Sequence, residues 1–102
     1  MTFFQRNSEP ATAWDTYQTT EHKSSLSHEL IAAAAAFEGA KAYGKHVEEY
    51  GKPESHEKAR EIFAAGAGAF IDHEIETRGL NALDKEKAKR QATKHFDDTY
   101  TF

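Results

Sequence analysis

The sequence is 102 residues long, with 38% hydrophobic and 29% charged residues and a formal net charge of −4 at pH 7. A chain of this length supports one small domain with a modest core, because folding buries only about 60–65% of the unfolded surface. The negative charge, without any run of lysines or arginines, argues against a protein that binds nucleic acid. The absence of cysteine excludes disulfides, thiolate metal sites and a cysteine nucleophile.

The first ten residues, MTFFQRNSEP, lack the apolar core of a signal peptide. No apolar run elsewhere approaches the ~20 residues that span a bilayer. We therefore expect an intracellular, cytoplasmic protein without a membrane partner.

Residues 1–24 are polar and rich in threonine, with no helical or alternating hydrophobic period, and Pro10 interrupts the segment. This composition predicts a flexible amino-terminal tail. The alternative is that Trp14 and Tyr17 dock on the helices that follow, because large aromatic side chains in a tail often bind elsewhere on the molecule.

A first long helix is predicted over residues 27–50. Ser27 is a good N-cap, and Glu29 falls in the first turn, where the helix dipole favours a negative charge. Gly51 and Pro53 then end the helix.

This helix has two apolar sides. One is a stripe with alternating three- and four-residue spacing, formed by Leu30, Ala33, Phe37, Ala40, Gly44 and Val47. The other is a face of small residues, formed by Ala32, Ala35, Gly39 and Ala42. We expect this second face to be an interaction face, covered either by a third helix or by a second copy in a weak homodimer. The alternative is an alanine face in contact with water.

A second helix is predicted over residues 53–78, with Gly79 just beyond its end. Gly66 and Gly68 each cost roughly 1 kcal/mol relative to alanine in a helix interior. Close approach of the two helix backbones offsets such a cost, so we expect the small residues of both helices to face one another.

A third, shorter helix is predicted over residues 83–95, followed by a frayed tail at 97–102. The sequence thus predicts an all-α protein with a helical domain at residues 25–96. Its centre is a long antiparallel helical hairpin, on which the third helix packs.

The six histidines are the candidate metal ligands in a chain without cysteine. Across an antiparallel hairpin, His46 falls near His56 and His28 falls near His73. Zinc takes three or four ligands, and carboxylates can complete a histidine set. We nevertheless expect these histidines to be structural or surface residues, and the zinc site is the alternative.

No catalytic constellation is evident in the sequence. The serines lie in predicted caps and turns without a glycine elbow, and neither a P-loop nor a GxGxxG motif occurs. The carboxylates have the spacing of ordinary surface ion pairs. We therefore expect a protein that is not an enzyme and that has no cofactor, zinc remaining possible.

Five motifs occur in order between residues 27 and 92: SHELIA, FEGAKAY, GKPESH, AGAGAFIDHEIETRG and DKEKAK. In these motifs the sequence resembles the CipC-like family of small fungal proteins, named for induction by the antibiotic concanamycin. The resemblance implies a role in stress and antibiotic response. It supplies no catalytic residues.

A weaker similarity links the chain to plant abscisic acid-, stress- and ripening-induced proteins. The matching residues are Lys45-His46, Pro53, His56 and His73-Glu74. The plant family binds zinc and DNA through tracts dense in histidine and lysine, which this sequence lacks.

The sequence therefore predicts a non-enzymatic stress- and antibiotic-response protein that acts through helix-mediated self-association or binding of a protein partner. The alternative function is that of a zinc-binding stress protein that uses His28, His46, His56 and His73.

Overall fold

The computed structural model of the chain describes residues 8–20, 27–78 and 84–99. Four α-helices account for nearly all of these residues, and no strand occurs within the three ranges. The all-α class predicted from the sequence is confirmed for this part of the chain. In chain order the helices are α1 (Glu9–Thr19), α2 (His28–Tyr50), α3 (His56–Arg78) and α4 (Lys85–Thr99).

Helix α1 lies within the segment that was predicted to be a flexible tail. The Ser8 side chain accepts a hydrogen bond from the backbone N–H of Ala11 at 3.3 Å and caps the helix. Pro10 falls in the first turn, where its missing N–H would have no partner in the helix, so it does not interrupt the segment. Tyr17 is only 1% exposed. The tail prediction is therefore wrong for residues 8–20, and the rest of that prediction lies outside the described residues.

Helix α2 is packed against all three of the other helices. Every side chain of the run Ala32–Ala36 is fully buried, whichever way it points around the helix. Ala33 and Ala34 form a cluster with Ala13 and Tyr17 of α1. The other three alanines join a larger cluster with buried residues of α3 and α4, namely Ala59, Phe63, Ala67, Ile71, Ala88, Ala92 and Phe96.

Two glycines mark the closest approach of α2 and α3. A Cβ atom built on Gly39 would lie 2.7 Å from the carbonyl oxygen of Phe63, and one built on Gly66 would lie 2.6 Å from the Cβ of Ala42. Both distances are shorter than real contacts of a Cβ atom. The close backbone approach predicted from the small residues is therefore confirmed at Gly39 and Gly66. It is wrong at Gly68, where a Cβ atom would meet only the side chain of Lys89, at 3.6 Å.

Local hydrogen bonds set the end of α2 and the start of α3. Gly51 adopts a φ of 83°, and its N–H donates to the carbonyl oxygen of Val47 at 2.9 Å, which closes the end of α2. Helix α3 starts at His56 rather than at the predicted residue 53. The reason is that the Ser55 hydroxyl caps it by accepting from the N–H of Lys58 at 3.1 Å.

Helix α4 starts after Asp84, whose carboxylate accepts from the N–H of Lys87 at 3.0 Å. It continues to Thr99, so the predicted frayed tail is wrong for residues 97–99. Two contacts explain the difference. Phe96 is fully buried, with its ring 4.9 Å from that of Phe63, and the side chain of Asp97 pairs with Arg60 of α3.

A first test of the packing compares two glycines of α3. Gly66→Ala places a methyl group against Ala42, and this overpacking costs about 1–3 kcal/mol, more than the roughly 1 kcal/mol gained in helix propensity. Gly68→Ala meets only the flexible side chain of Lys89 at 3.6 Å, so it keeps the propensity gain. We expect urea unfolding to show a lower free energy of unfolding for Gly66→Ala and a higher one for Gly68→Ala. Equal effects of the two variants would contradict the close packing at Gly66.

A second test uses the tryptophan of α1 as a probe of docking. The Trp14 ring lies 5.0 Å from that of Phe37, its Nε1–H donates to the carboxylate of Glu38, and the Lys41 ammonium lies 4.9 Å from the ring centroid. Because Trp14 is the single tryptophan of the chain, its emission reports on α1 alone.

We expect the emission maximum of Trp14 in the unsubstituted protein to lie at a shorter wavelength than that of free indole in water. Glu38→Ala should move it toward the red and increase quenching by acrylamide, because α1 loses its hydrogen bond to α2. Glu38→Gln keeps an acceptor and serves as the control. A parent spectrum like that of free indole would show that α1 is not docked in solution.

Candidate functional site

An open groove of about 550 Å³ runs between α3 and α4; we call it the α3–α4 groove. Ala64 of α3 and Thr93 of α4 contribute small, half-buried side chains to it. The other lining residues are charged. Four are acidic (Glu57, Glu61, Glu86 and Asp97) and four are basic (Arg60, Lys89, Arg90 and Lys94).

Ion pairs join the two walls of this groove near both of its ends. Arg60 Nε lies 3.1 Å from Asp97 Oδ1, and Lys89 Nζ lies 3.2 Å from Asp72 Oδ1. Lys85 lies 3.7 Å from the same oxygen of Asp72. Since residues early in α3 pair with residues late in α4, the two helices run in opposite directions. Exposed pairs of this kind contribute about 0–1 kcal/mol each, so their main effect is to fix how α3 and α4 are aligned.

Other charged groups of the groove have no such partner. Within the described ranges, Arg90 of α4 and the carboxylates Glu57, Glu61 and Glu86 form no ion pair. The groove therefore presents open charges of both signs, while the ion pairs around it hold the walls in place.

The interaction face predicted on α2 is covered within the chain itself. Ala32 and Ala35 are fully buried, Gly39 is buried against Phe63, and Ala42 is half-buried with its Cβ toward Gly66. These four positions therefore offer no surface to a second copy. Of the two expected ways of covering this face, the structure shows packing within the chain, because residues of α3 and α4 form one buried cluster with Ala32 and Ala35.

The four candidate metal ligands have separate surroundings. Nε2 of His28 accepts from the backbone N–H of Asp84 at 2.8 Å. The His46 ring lies 5.0 Å from that of Tyr50, and the His56 ring lies 5.6 Å from that of Phe96. The remaining candidate, His73, is an exposed residue of α3.

His56 has one carboxylate nearby, since its Nε2 lies 3.7 Å from Asp97 Oδ1. Among the residues that the structure describes, no three histidine, aspartate or glutamate side chains form a group able to hold a metal ion. The structure therefore gives no support to the zinc site predicted as an alternative.

The ion pairs that Asp97 and Asp72 form across α3 and α4 were not predicted from the sequence. Asp97 was assigned to a frayed tail, although it pairs with both Arg60 and His56. Asp72 pairs with two lysines spaced four residues apart, which places both on one side of α4. In the sequence, only the four-residue spacing of Lys85 and Lys89 indicated that both could pair with one carboxylate.

The fold and the groove define a small all-α protein with a buried central helix and a charged outer surface. None of the helices described here is both long enough and apolar enough to cross a membrane. Over residues 13–101 the chain matches the virulence factor CipC-like family, and it therefore belongs to that family. This match confirms the resemblance to the CipC-like family that the motifs indicated. It gives no support to the weaker similarity to the plant stress- and ripening-induced proteins. Neither a curated protein nor a solved structure matches the chain.

The contact of His28 with the start of α4 gives a further test. His28→Ala removes the acceptor for the Asp84 N–H and should lower the free energy of unfolding by about 1 kcal/mol. His28→Gln places an amide oxygen near the position of Nε2 and should keep most of this stability. Urea unfolding followed by circular dichroism measures both variants. Equal stability of His28→Ala and the parent would show that the hydrogen bond does not tie α4 to α2.

Proposed function

We propose that this protein is a non-enzymatic, stress-associated protein of the CipC-like family that acts by binding another polypeptide in the α3–α4 groove. The observation that carries the proposal is the set of open charges of both signs along that groove. Family membership supports the association with stress and virulence. We further propose that the protein acts in the fungal cytoplasm and responds to antibiotic stress.

The chemistry of the groove favours a polypeptide over other ligands. Nucleic acid requires clustered positive charge, whereas here four acidic side chains line the same groove as four basic ones. Pockets for small molecules are mostly apolar and enclosed, which this open, charged groove is not. A protein surface with lysines and glutamates at matching intervals can pair with both kinds of charge at once.

The partner is expected to bind mainly by electrostatic complementarity. Of the large hydrophobic side chains in the described ranges, Tyr50 alone is strongly exposed, at 75%. With so little apolar surface available, the contact depends on attraction between exposed charges. Salt at physiological concentration screens this attraction at separations beyond about 8–10 Å. The proposed association is therefore weak, rapid and sensitive to ionic strength.

A second copy of the chain is one candidate for the polypeptide. The weak homodimer was predicted from the alanine face of α2, but that face is covered within the chain. We therefore assign self-association to the α3–α4 groove, whose mixed charges can complement those of another copy.

We also infer that α2 and α3 form the antiparallel hairpin predicted from the sequence. The start of α2 lies beside the start of α4, because His28 accepts a hydrogen bond from the N–H of Asp84. Further along both helices, the ring centroids of Tyr43 in α2 and Phe96 in α4 are 6.3 Å apart. These contacts support α2 and α4 running in the same direction. Since α3 runs opposite to α4, an antiparallel arrangement of α2 and α3 follows.

A matched pair of charge reversals on α4 tests the role of the groove. Arg90→Glu reverses an open charge within the groove, whereas Lys87→Glu makes the same reversal at an exposed residue that does not line it. If a second copy binds, we expect sedimentation velocity at low salt to show a concentration-dependent dimer for the parent and for Lys87→Glu. The dimer should be lost in Arg90→Glu and in 0.5 M salt.

A different protein partner requires a second measurement. A photo-crosslinking amino acid at position 64, within the groove, should capture a defined protein in stressed cells, and one at exposed Lys58 should not. Arg90→Glu should abolish the capture. A monomer at all concentrations, together with crosslinks that do not depend on Arg90, would overturn the proposal.

A further inference from the structure

Thr93 of α4 lines the α3–α4 groove and directly follows a short basic sequence. In KRQAT, residues 89–93, an arginine lies three residues and a lysine four residues before the threonine. No other serine or threonine of the chain has an arginine three residues before it. This pattern is typical of the substrates of arginine-directed protein kinases, because acidic side chains beside the active site of such a kinase bind the guanidinium group.

Arg90 is available for recognition of this kind. It is exposed and forms no ion pair within the described ranges. The other three basic residues of the groove, Arg60, Lys89 and Lys94, are each paired with an aspartate. A kinase can therefore bind the Arg90 guanidinium without first separating it from a described carboxylate of this chain.

The Thr93 hydroxyl becomes fully accessible when α4 opens. In the closed structure the side chain is half-buried, and Oγ1 donates to the carbonyl oxygen of Lys89 at 2.9 Å. Helix α4 is held by few apolar contacts, since its buried side chains are two alanines and Phe96. The exposed ion pairs across it contribute little. Elements of this kind open more easily than the whole domain unfolds, so α4 can present residues 89–93 as the extended segment that a kinase binds.

The reaction is a phosphoryl transfer from a nucleoside triphosphate, which the kinase supplies together with Mg²⁺. A bond forms between Thr93 Oγ1 and the γ-phosphorus, and the bond from this phosphorus to the β–γ bridging oxygen breaks. A nucleoside diphosphate leaves, and the hydroxyl proton passes to a carboxylate base of the kinase. The product carries a charge of about −1.5 to −2 near neutral pH and three strong acceptor oxygens.

Basic side chains lie around the position of this phosphate once α4 closes again. Lys89 and Arg90 precede Thr93 by about one helical turn, which places them on the same side of α4. Lys94 lines the same groove, whose volume of about 550 Å³ leaves room for a phosphate. The planar guanidinium of Arg90 can donate two parallel hydrogen bonds to phosphate oxygens. The phosphate therefore binds the open positive charge of the groove.

We propose that Thr93 is a phosphorylation site for an arginine-directed protein kinase, and that its phosphate binds Arg90 and closes the α3–α4 groove. Four acidic and four basic side chains line the groove, so the modification leaves an excess of about two negative charges. A partner that pairs with both signs then loses its positive contact. The closure rests on the binding function proposed for this groove, whereas the modification itself does not.

Phosphorylation of the full chain in vitro tests the site. The catalytic subunit of the cyclic-AMP-dependent protein kinase is an arginine-directed probe, and mass spectrometry of the intact protein and of its peptides counts and locates the phosphates. We expect one phosphate, on Thr93, and none in Thr93→Val. Arg90→Gln should lower the rate at least about tenfold. Lys94→Gln removes the same charge on the other side of Thr93 and should not lower the rate.

A substitution outside the recognised segment tests the opening of α4. The Phe63 ring of α3 lies 4.9 Å from that of Phe96, so Phe63→Leu weakens the hold on α4. We expect it to raise the rate of Thr93 phosphorylation several-fold, because the rate follows the population in which α4 is open. Lys58→Gln, at an exposed residue of α3, is the control. Equal rates for Phe63→Leu and the unsubstituted protein would contradict the opening step.

The phosphorylated protein tests the closure of the groove. The Nε–H signal of Arg90 in NMR spectra should shift on phosphorylation, whether or not a partner binds. The low-salt dimer, or the crosslink from position 64, should be lost. If the unmodified protein shows neither dimer nor crosslink, the function proposed for the groove fails, and the Arg90 signal alone decides the phosphate contact.

Two sets of results would overturn the inference. An unmodified chain, or a phosphate on another residue, would show that Thr93 is not the site. An unshifted Arg90 signal, or a dimer or crosslink that persists after phosphorylation, would show that the phosphate does not close the groove.

Discussion

The structure depends on how little volume the side chains of α2 occupy. Three helices can approach a fourth closely when the central one is thin, and five consecutive alanines make α2 thin on every side. The bulk of the core comes from the surrounding helices. The largest fully buried side chains are Tyr17 of α1, Phe63 and Ile71 of α3, and Phe96 of α4. Large residues from outside thus fill the space that α2 leaves, which is how a protein of this size reaches dense packing.

The same constraint explains which parts of the fold were predictable from the sequence. The glycines of α2 and α3 indicated a close backbone contact, because glycine in a helix interior is costly unless it permits such an approach. Gly39 and Gly66 do permit it. The number of helices around α2 was not predictable in the same way. A helical wheel shows which sides are apolar, but not whether one neighbour or three will cover them.

Helix α1 shows how a local signal was given too much weight. Pro10 was interpreted as an interruption, although proline is well tolerated in a first turn. The contrary signals were Ser8, which caps the helix, and the spacing of Ala13 and Tyr17, which places both on one side. The α3–α4 groove was beyond prediction for another reason. Its charges have ordinary surface spacing, and only the tertiary structure shows that ion pairs join its walls and leave Arg90 and three glutamates open.

The alanine run also bears on the order in which the chain folds. Alanine has the highest intrinsic helix propensity, so α2 can form helical turns before any tertiary contact exists. Helices α2 and α3 each contain two interior glycines, but α3 has no alanine run like that of α2, and α1 is rich in threonine, so both gain less from local interactions. The physical properties that make α2 a suitable centre for the native packing thus also favour it as the template on which the other helices condense. The same few methyl groups thus serve the native packing of this small domain and the local helix propensity of α2.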